Sequence, residues 1–171
     1  VQDNGTPKPR IDILLRPRQS LLVQIIKEPL KSKGARLTTE LSLAGRFLVY
    51  LPRSSPQVGI SHRIENGAER ERLRTLVRSM LEPGESVIIR TVARSRTEAD
   101  LQCDLDFLRR LWGRIERRAA TAGPAELVYE ELDLCLRAVR DLLTPAHDAV
   151  LVDDLVTSER VRAFVDDFLP A

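Results

Sequence analysis

Between Thr97 and Gly123-Pro124 the chain carries one long helical stripe: Leu101, Leu105, Leu108, Trp112 and Ile115 recur three or four residues apart, which sets them on one face of a helix. Thr97, with Asp100 three residues on, reads as the capping pair of this helix, and Gly-Pro as its stop. A second stripe precedes it. Leu73, Leu76, Val77, Met80 and Leu81 follow Asn66 as a cap with Glu69 at the third position, and Pro83-Gly84 ends the run. The opposite face of that helix carries Arg70, Arg72, Arg74 and Arg78. Trp112 has two readings, a core residue of the stripe or a platform for stacking a base, and its place in the periodicity favours the core.

The rest of the chain alternates short apolar runs with turn chemistry. Ser20 to Lys27 (SLLVQIIK) is apolar on both faces, and Arg36 to Leu41 (RLTTEL) has the period of a half-buried strand, so the two read as paired strands. The connection EPLKSKGA is turn-forming and displays lysines at its tip. Arg46 to Leu51 (RFLVYL) and Ser86 to Thr91 (SVIIRT) read as further strands. After Pro124 the expected order is strand (Glu126 to Tyr129), helix (about Asp133 to Leu143), strand (Ala149 to Val152) and helix (Ser158 to Leu169). That β/α unit has too few strands to close a sheet, and Pro170-Ala171 falls where another element is expected. The first ten residues, VQDNGTPKPR, lack periodicity and an initiator methionine, and read as a loop or frayed end of an excised fragment. The fold expected is therefore mixed, α+β with α/β character.

Composition sets the function classes. With 43% hydrophobic and 30% charged residues, 171 residues suffice for a real core or two small lobes. Two cysteines, Cys103 and Cys135, lie far apart and outside any C-x-x-C spacing, which excludes a disulfide framework or a thiolate zinc site within this sequence and points to a reducing compartment. No run of eighteen apolar residues and no signal-peptide pattern occurs, so the expectation is a soluble, cytoplasmic chain without a membrane span. The net charge of +2 hides an asymmetry: residues 1–96 hold 18 Lys and Arg against 9 Asp and Glu, whereas residues 97–171 hold 9 against 16. A basic half joined to an acidic half points to a polyanion at one end. Genome composition alone can also produce the arginine excess.

Catalytic constellations are sparse. His62 and His147 stand in unrelated contexts, so no metal-ligand pair or nucleophile-base set can be assembled, and no phosphate-loop or dinucleotide glycine pattern occurs. Asp153-Asp154, at the end of AVLV, resembles the paired carboxylates with which nucleases hold Mg²⁺, but it equally reads as a turn and cap for the next helix. A binding reading fits Arg90-Thr91 better. A phosphate monoester carries nearly two negative charges and three terminal oxygens, and an arginine fork beside a hydroxyl suits it; the same pair also reads as an ordinary strand end.

The blocks LLVQIIKEPLKSKGARLTTELSLAGRFLVYLP, VGISHRIE, VIIRTVARSRTEADLQCDLDFLRRLW and AVLVDD closely resemble the ribonuclease E/G family, over nearly all of the chain after about residue 11. The resemblance rests on KGA-x-LTT, GR-[FY]-LV and RTVA, which occur in the family's order and spacing. It implies a cytoplasmic single-strand endoribonuclease that processes ribosomal and transfer RNA precursors, degrades messages and prefers a 5′-monophosphate. It further implies three parts here: the last strands of an OB-fold RNA-binding domain (1–39), a 5′-sensor subdomain (40–130) and part of an RNase H-like subdomain (131–171). Arg90, Thr91, Val49 and Gly45 match the family's 5′-phosphate pocket, and Lys27 and Lys33 match lysines that its OB-fold presents to single-stranded RNA. Arg63 is expected to support RNA binding, with His62 beside it where the family commonly has arginine. Full-length members homo-oligomerise, use Mg²⁺ in a DNase I-like part and share Zn²⁺ between protomers, and no residues of this sequence match those metal sites. No catalytic residue or cofactor is therefore assigned within the chain, although an autonomous metal nuclease built on Asp153 and Asp154, or a degenerate RNA-binding scaffold, stand as alternatives.

Overall fold

A computed structural model describes residues 10–144 and 146–168, which divide between two compact units, one up to residue 39 and one from residue 40. In the first unit a short helix, α1 (Ile11–Leu14), precedes β1 (Gln24–Lys27) and β2 (Arg36–Thr38), which pair antiparallel with Ile25 opposite Leu37 and a register slip before Lys27 meets Arg36. The two apolar runs thus pair over fewer residues than expected, because β2 offers only 3 residues to its partner, and Ser20–Val23 stay outside the ladder. At the tip, Leu30 and Lys33 exchange backbone hydrogen bonds of 3.0 and 2.9 Å around Lys31, whose φ of 51° is left-handed. Lys27, Lys31, Lys33 and Arg36 are all exposed along this hairpin.

The second unit holds a four-stranded sheet made of β3 (Leu43–Ala44), β4 (Leu48–Tyr50), β5 (Val58–Ile60) and β6 (Val87–Ile89), in the order β3-β4-β6-β5. β4 runs antiparallel to β6, whereas β5 runs parallel to it. A parallel pair needs a crossover, and α2 (Gly67–Met80), lying between β5 and β6 in the chain, supplies it. The expected caps form: the Asn66 side chain accepts the Glu69 N–H, and Thr97 and Asp100 close a reciprocal box at the start of α3 (Glu98–Thr121). Leu48, Val87 and Ile89 from the sheet meet Leu73 of α2 and Leu105 and Leu108 of α3 in a core from which water is fully excluded. Trp112 departs from the core reading. It is only half-buried, and the Arg53 guanidinium lies 5.5 Å above its ring.

After Pro124 the two expected helices form, as α4 (Leu134–Leu142) and α5 (Leu155–Phe168), with Phe164 and Phe168 set edge-on against Phe107 of α3. The two expected strands do not form. Residues 126–129 and 149–152 have no ladder partner among the described residues, and Leu151 stands 95% exposed. An apolar run can become a strand only where a neighbouring strand takes its backbone groups. The architecture is thus mixed α and β without the alternation expected at the C-terminal end. No helix is long and apolar enough to cross a membrane among the described residues.

Candidate functional site

Strand direction alone gathers the candidate residues along the edge of the larger sheet that its strand ends form. Because β4 is antiparallel and β5 parallel to β6, the start of β4, the end of β5 and the end of β6 lie side by side. The turn Gly45–Leu48, then Ser61, then Arg90 and Thr91 occupy those three positions. Backbone bonds carry the ladder one step further, from Arg90 N–H to the Phe47 carbonyl (2.8 Å) and from Ser61 N–H to the Ile89 carbonyl (2.9 Å). Beyond them the chain turns into a single 3-10 turn, Thr91–Ala93, which brings the Thr91 hydroxyl to 3.0 Å from that of Ser61. Val49 sits one step inside, opposite Ala44 on one side and Ile88 on the other.

The Gly45–Leu48 turn is held by charged side chains from three elements. Asp104, buried on α3, accepts the N–H groups of Arg46, Phe47 and Leu48, each at 2.8 Å. Arg90 donates one guanidinium nitrogen to the carbonyl of Gly45 and, at 3.2 Å, to that of Arg46. Arg140, buried on α4, donates to the Ala44 carbonyl at 2.8 Å. Burial pushes the Asp104 carboxyl above the usual aspartate range, against the pull of its three backbone donors and of Arg140. Gly45 has a specific reason to be glycine: a Cβ there would lie 2.6 Å from both Asp104 carboxylate oxygens.

Cations surround the edge. The Arg46 and Arg96 guanidinium groups lie 5.0 and 5.2 Å from the centre of the buried Phe47 ring, which fixes both beside the turn. Arg94 and Arg96 are exposed on the loop after the 3-10 turn. That loop is stapled to α2, since Arg72 donates to the Arg96 carbonyl at 3.1 Å and Glu69 accepts the Ser95 N–H at 2.9 Å. The Arg72 and Ser95 bonds draw the Glu69 carboxyl down to about 2. Arg70 donates to the carbonyls of Ser61 and Ile64, which holds the stretch carrying His62 and Arg63, both exposed. The arrangement offers a guanidinium fork, two hydroxyls and flanking positive charge, the donor set that a phosphate monoester needs.

The structure brings Arg90, Thr91, Gly45 and Val49 together at this edge, with Arg63 next to Ser61. Lys27 and Lys33 lie on the hairpin of the other unit. Ser61, Asp104 and Arg140 escape the reading of the sequence. Asp104 left one signal: it stands three residues after Leu101 and four before Leu108, a carboxylate on the apolar stripe of α3. Asp154 is occupied as a cap, accepting the Thr157 N–H at 2.7 Å at the start of α5, and the Thr157 hydroxyl together with that N–H holds its carboxyl below the usual range. Asp153 is exposed, and no group of three or more His, Cys, Asp and Glu able to hold a metal occurs among the described residues.

Comparison with known proteins gives the lineage. The model of the Ribonuclease E/G family matches residues 42–171. Ribonuclease G of Escherichia coli strain K12 is 39% identical over 160 residues, which cover 94% of this chain and 32% of that protein. Ribonuclease G of Haemophilus influenzae is 38% identical over the same shares. Ribonuclease E of Nostoc sp. is 32% identical over 155 residues, 91% of this chain and 22% of that protein. The chain spans about a third of the length of the Ribonuclease G proteins it matches. A family model covering most of the chain, joined to relatives at this identity, shows that the chain belongs to the ribonuclease E/G family.

Proposed function

We propose that this chain is the RNA-binding and 5′-monophosphate-sensing portion of a ribonuclease E/G-type endoribonuclease. The observation that carries the reading is the meeting of Arg90, Thr91 and Ser61 with the Gly45 turn at one sheet edge. A terminal monophosphate presents three oxygens to that donor set, and an internal phosphodiester presents fewer and less charge. Exposed Lys27, Lys33 and Arg63 supply contacts to the RNA backbone that do not depend on the 5′ end. In this reading the whole protein is a cytoplasmic, homo-oligomeric nuclease of ribosomal and transfer RNA processing and message decay. Its Mg²⁺ and shared Zn²⁺ belong to parts that these residues do not match.

The test is fluorescence anisotropy of one short single-stranded RNA, bearing either a 5′-monophosphate or a 5′-hydroxyl, at fixed salt. Salt is fixed because any basic surface binds RNA more tightly as it falls. The expected result is a preference of about tenfold for the monophosphate, about 1.4 kcal/mol, which Arg90→Ala removes. Equal binding of the two RNAs by the wild-type chain would overturn the sensor reading and leave a generic RNA-binding surface.

A further inference from the structure

We propose that Asp104 is the positioning residue of this pocket: from α3 it sets the two peptide groups whose carbonyls hold the Arg90 guanidinium where a terminal phosphate is read. The proposal rests on the phosphate reading of Arg90 and Thr91 given above.

The geometry is that of two charged side chains gripping the same two peptides from opposite sides. The Gly45 carbonyl and the Arg46 N–H belong to one peptide group, and the Arg46 carbonyl and the Phe47 N–H to the next. In a trans peptide these two dipole ends point in opposite directions. Asp104 accepts both N–H groups at 2.8 Å. Arg90 donates to both carbonyls. Fixing the N–H ends therefore aims the carbonyl ends, and each bond polarises its peptide in the sense that strengthens the other. Three successive N–H groups turned to one point make a nest of the kind that captures anions, and here the anion is the protein's own carboxylate. Gly45 lets it approach, since any side chain there would collide with both carboxylate oxygens. Without Asp104 the nest loses its acceptor, the two peptides are released to rotate, and Arg90 loses its anchors. The anchors matter because a guanidinium held in place before the ligand arrives loses less freedom on binding.

Asp104→Asn, nearly the same size, is the variant to make, read by amide hydrogen exchange and by the affinity ratio for 5′-monophosphate and 5′-hydroxyl RNA. The expected result is a folded chain whose Arg46, Phe47 and Leu48 amides exchange faster by about tenfold or more. Its monophosphate preference falls to about one, while its affinity for 5′-hydroxyl RNA stays within about twofold. A loss of structure alone would not separate the two RNAs. A preference retained in folded Asp104→Asn would overturn the proposal and spare the sensor reading, whereas a wild-type chain without preference would overturn both. Should Asp104→Asn fail to fold, NMR of the wild-type chain decides. Shifts of the Arg46–Leu48 amides and the Arg90 Nε–H with 5′-monophosphate RNA, and not with 5′-hydroxyl RNA, support it, and a turn that does not respond overturns it.

Discussion

Two stretches of this chain are nearly the same peptide and end in different circumstances. Ile25-Ile26-Lys27 closes β1, and Ile88-Ile89 closes β6 with Arg90 just after it, each a pair of isoleucines followed by a cation. In β1 both isoleucines stay open to solvent, at 61% and 47% exposure, on a sheet of only two strands. In β6 the alternation works: Ile88 is 39% exposed and Ile89 is fully buried. The cation inherits the difference. Lys27 stands exposed on a thin hairpin, while Arg90 begins from a strand fixed on both sides and reaches carbonyls whose orientation α3 controls. A mobile, point-like charge suits any RNA backbone, and a fixed fork suits one phosphate in one orientation.

The comparison is broken or sharpened first by truncation. Ile89→Ala should lower the free energy of unfolding by about 3 kcal/mol in urea titrations, against under about 0.5 kcal/mol for Ile25→Ala. Equal losses would show that the hairpin is buried as deeply as the sheet. Next, Gly45→Ala should cost about 1–3 kcal/mol and remove the monophosphate preference, because Asp104 is bound to three N–H groups and has little freedom to move aside. A stable Gly45→Ala chain with its preference intact would detach the turn from the site. Thr97→Ala, which opens the capping box under the larger sheet, should cost about 1 kcal/mol by thermal melting.

A smaller effect lies in pH. Glu69 titrates near 2 in the folded chain, below the ordinary carboxylate value, so its bonds to Arg72 and Ser95 stabilise the fold above that ordinary value and are lost as pH falls towards 2. Glu69→Gln should therefore flatten this part of the acid-unfolding profile, and an unchanged slope would refute the staple. Smallest for stability, Lys27→Ala with Lys33→Ala should leave the melt unchanged while reducing the salt dependence of RNA binding by about two phosphate contacts. An unchanged salt slope would remove the hairpin from the RNA surface.

What was legible in the sequence was local. The caps at Asn66 and Thr97 and the apolar stripes of α2 and α3 involve residues within a turn or two of one another, so spacing alone declares them. Arg90 and Thr91 are legible as a pair because they are adjacent. Ser61, Asp104 and Arg140 are not, since their partners lie 30 to 96 residues away and only strand direction and helix packing bring them near. The expected strands at 126–129 and 149–152 fail for a related reason. Their composition states that they can pair and cannot state whether a partner strand is present.

The bonds from Asp104 to the turn cross 56 to 58 residues of chain, and this orders events during folding. The hairpin of unit one, the turn of α2 after Asn66 and the box at Thr97 close over short loops, on the microsecond scale of local structure. The peptide planes that aim Arg90 are set only when α3 docks on the sheet, after the costlier long loop has closed. Helical signal and Phe47 burial will therefore develop separately in a stopped-flow experiment. On the sensor reading proposed above, preference for a 5′-monophosphate will rise with the second phase, which makes the pocket a clock for the completion of tertiary structure.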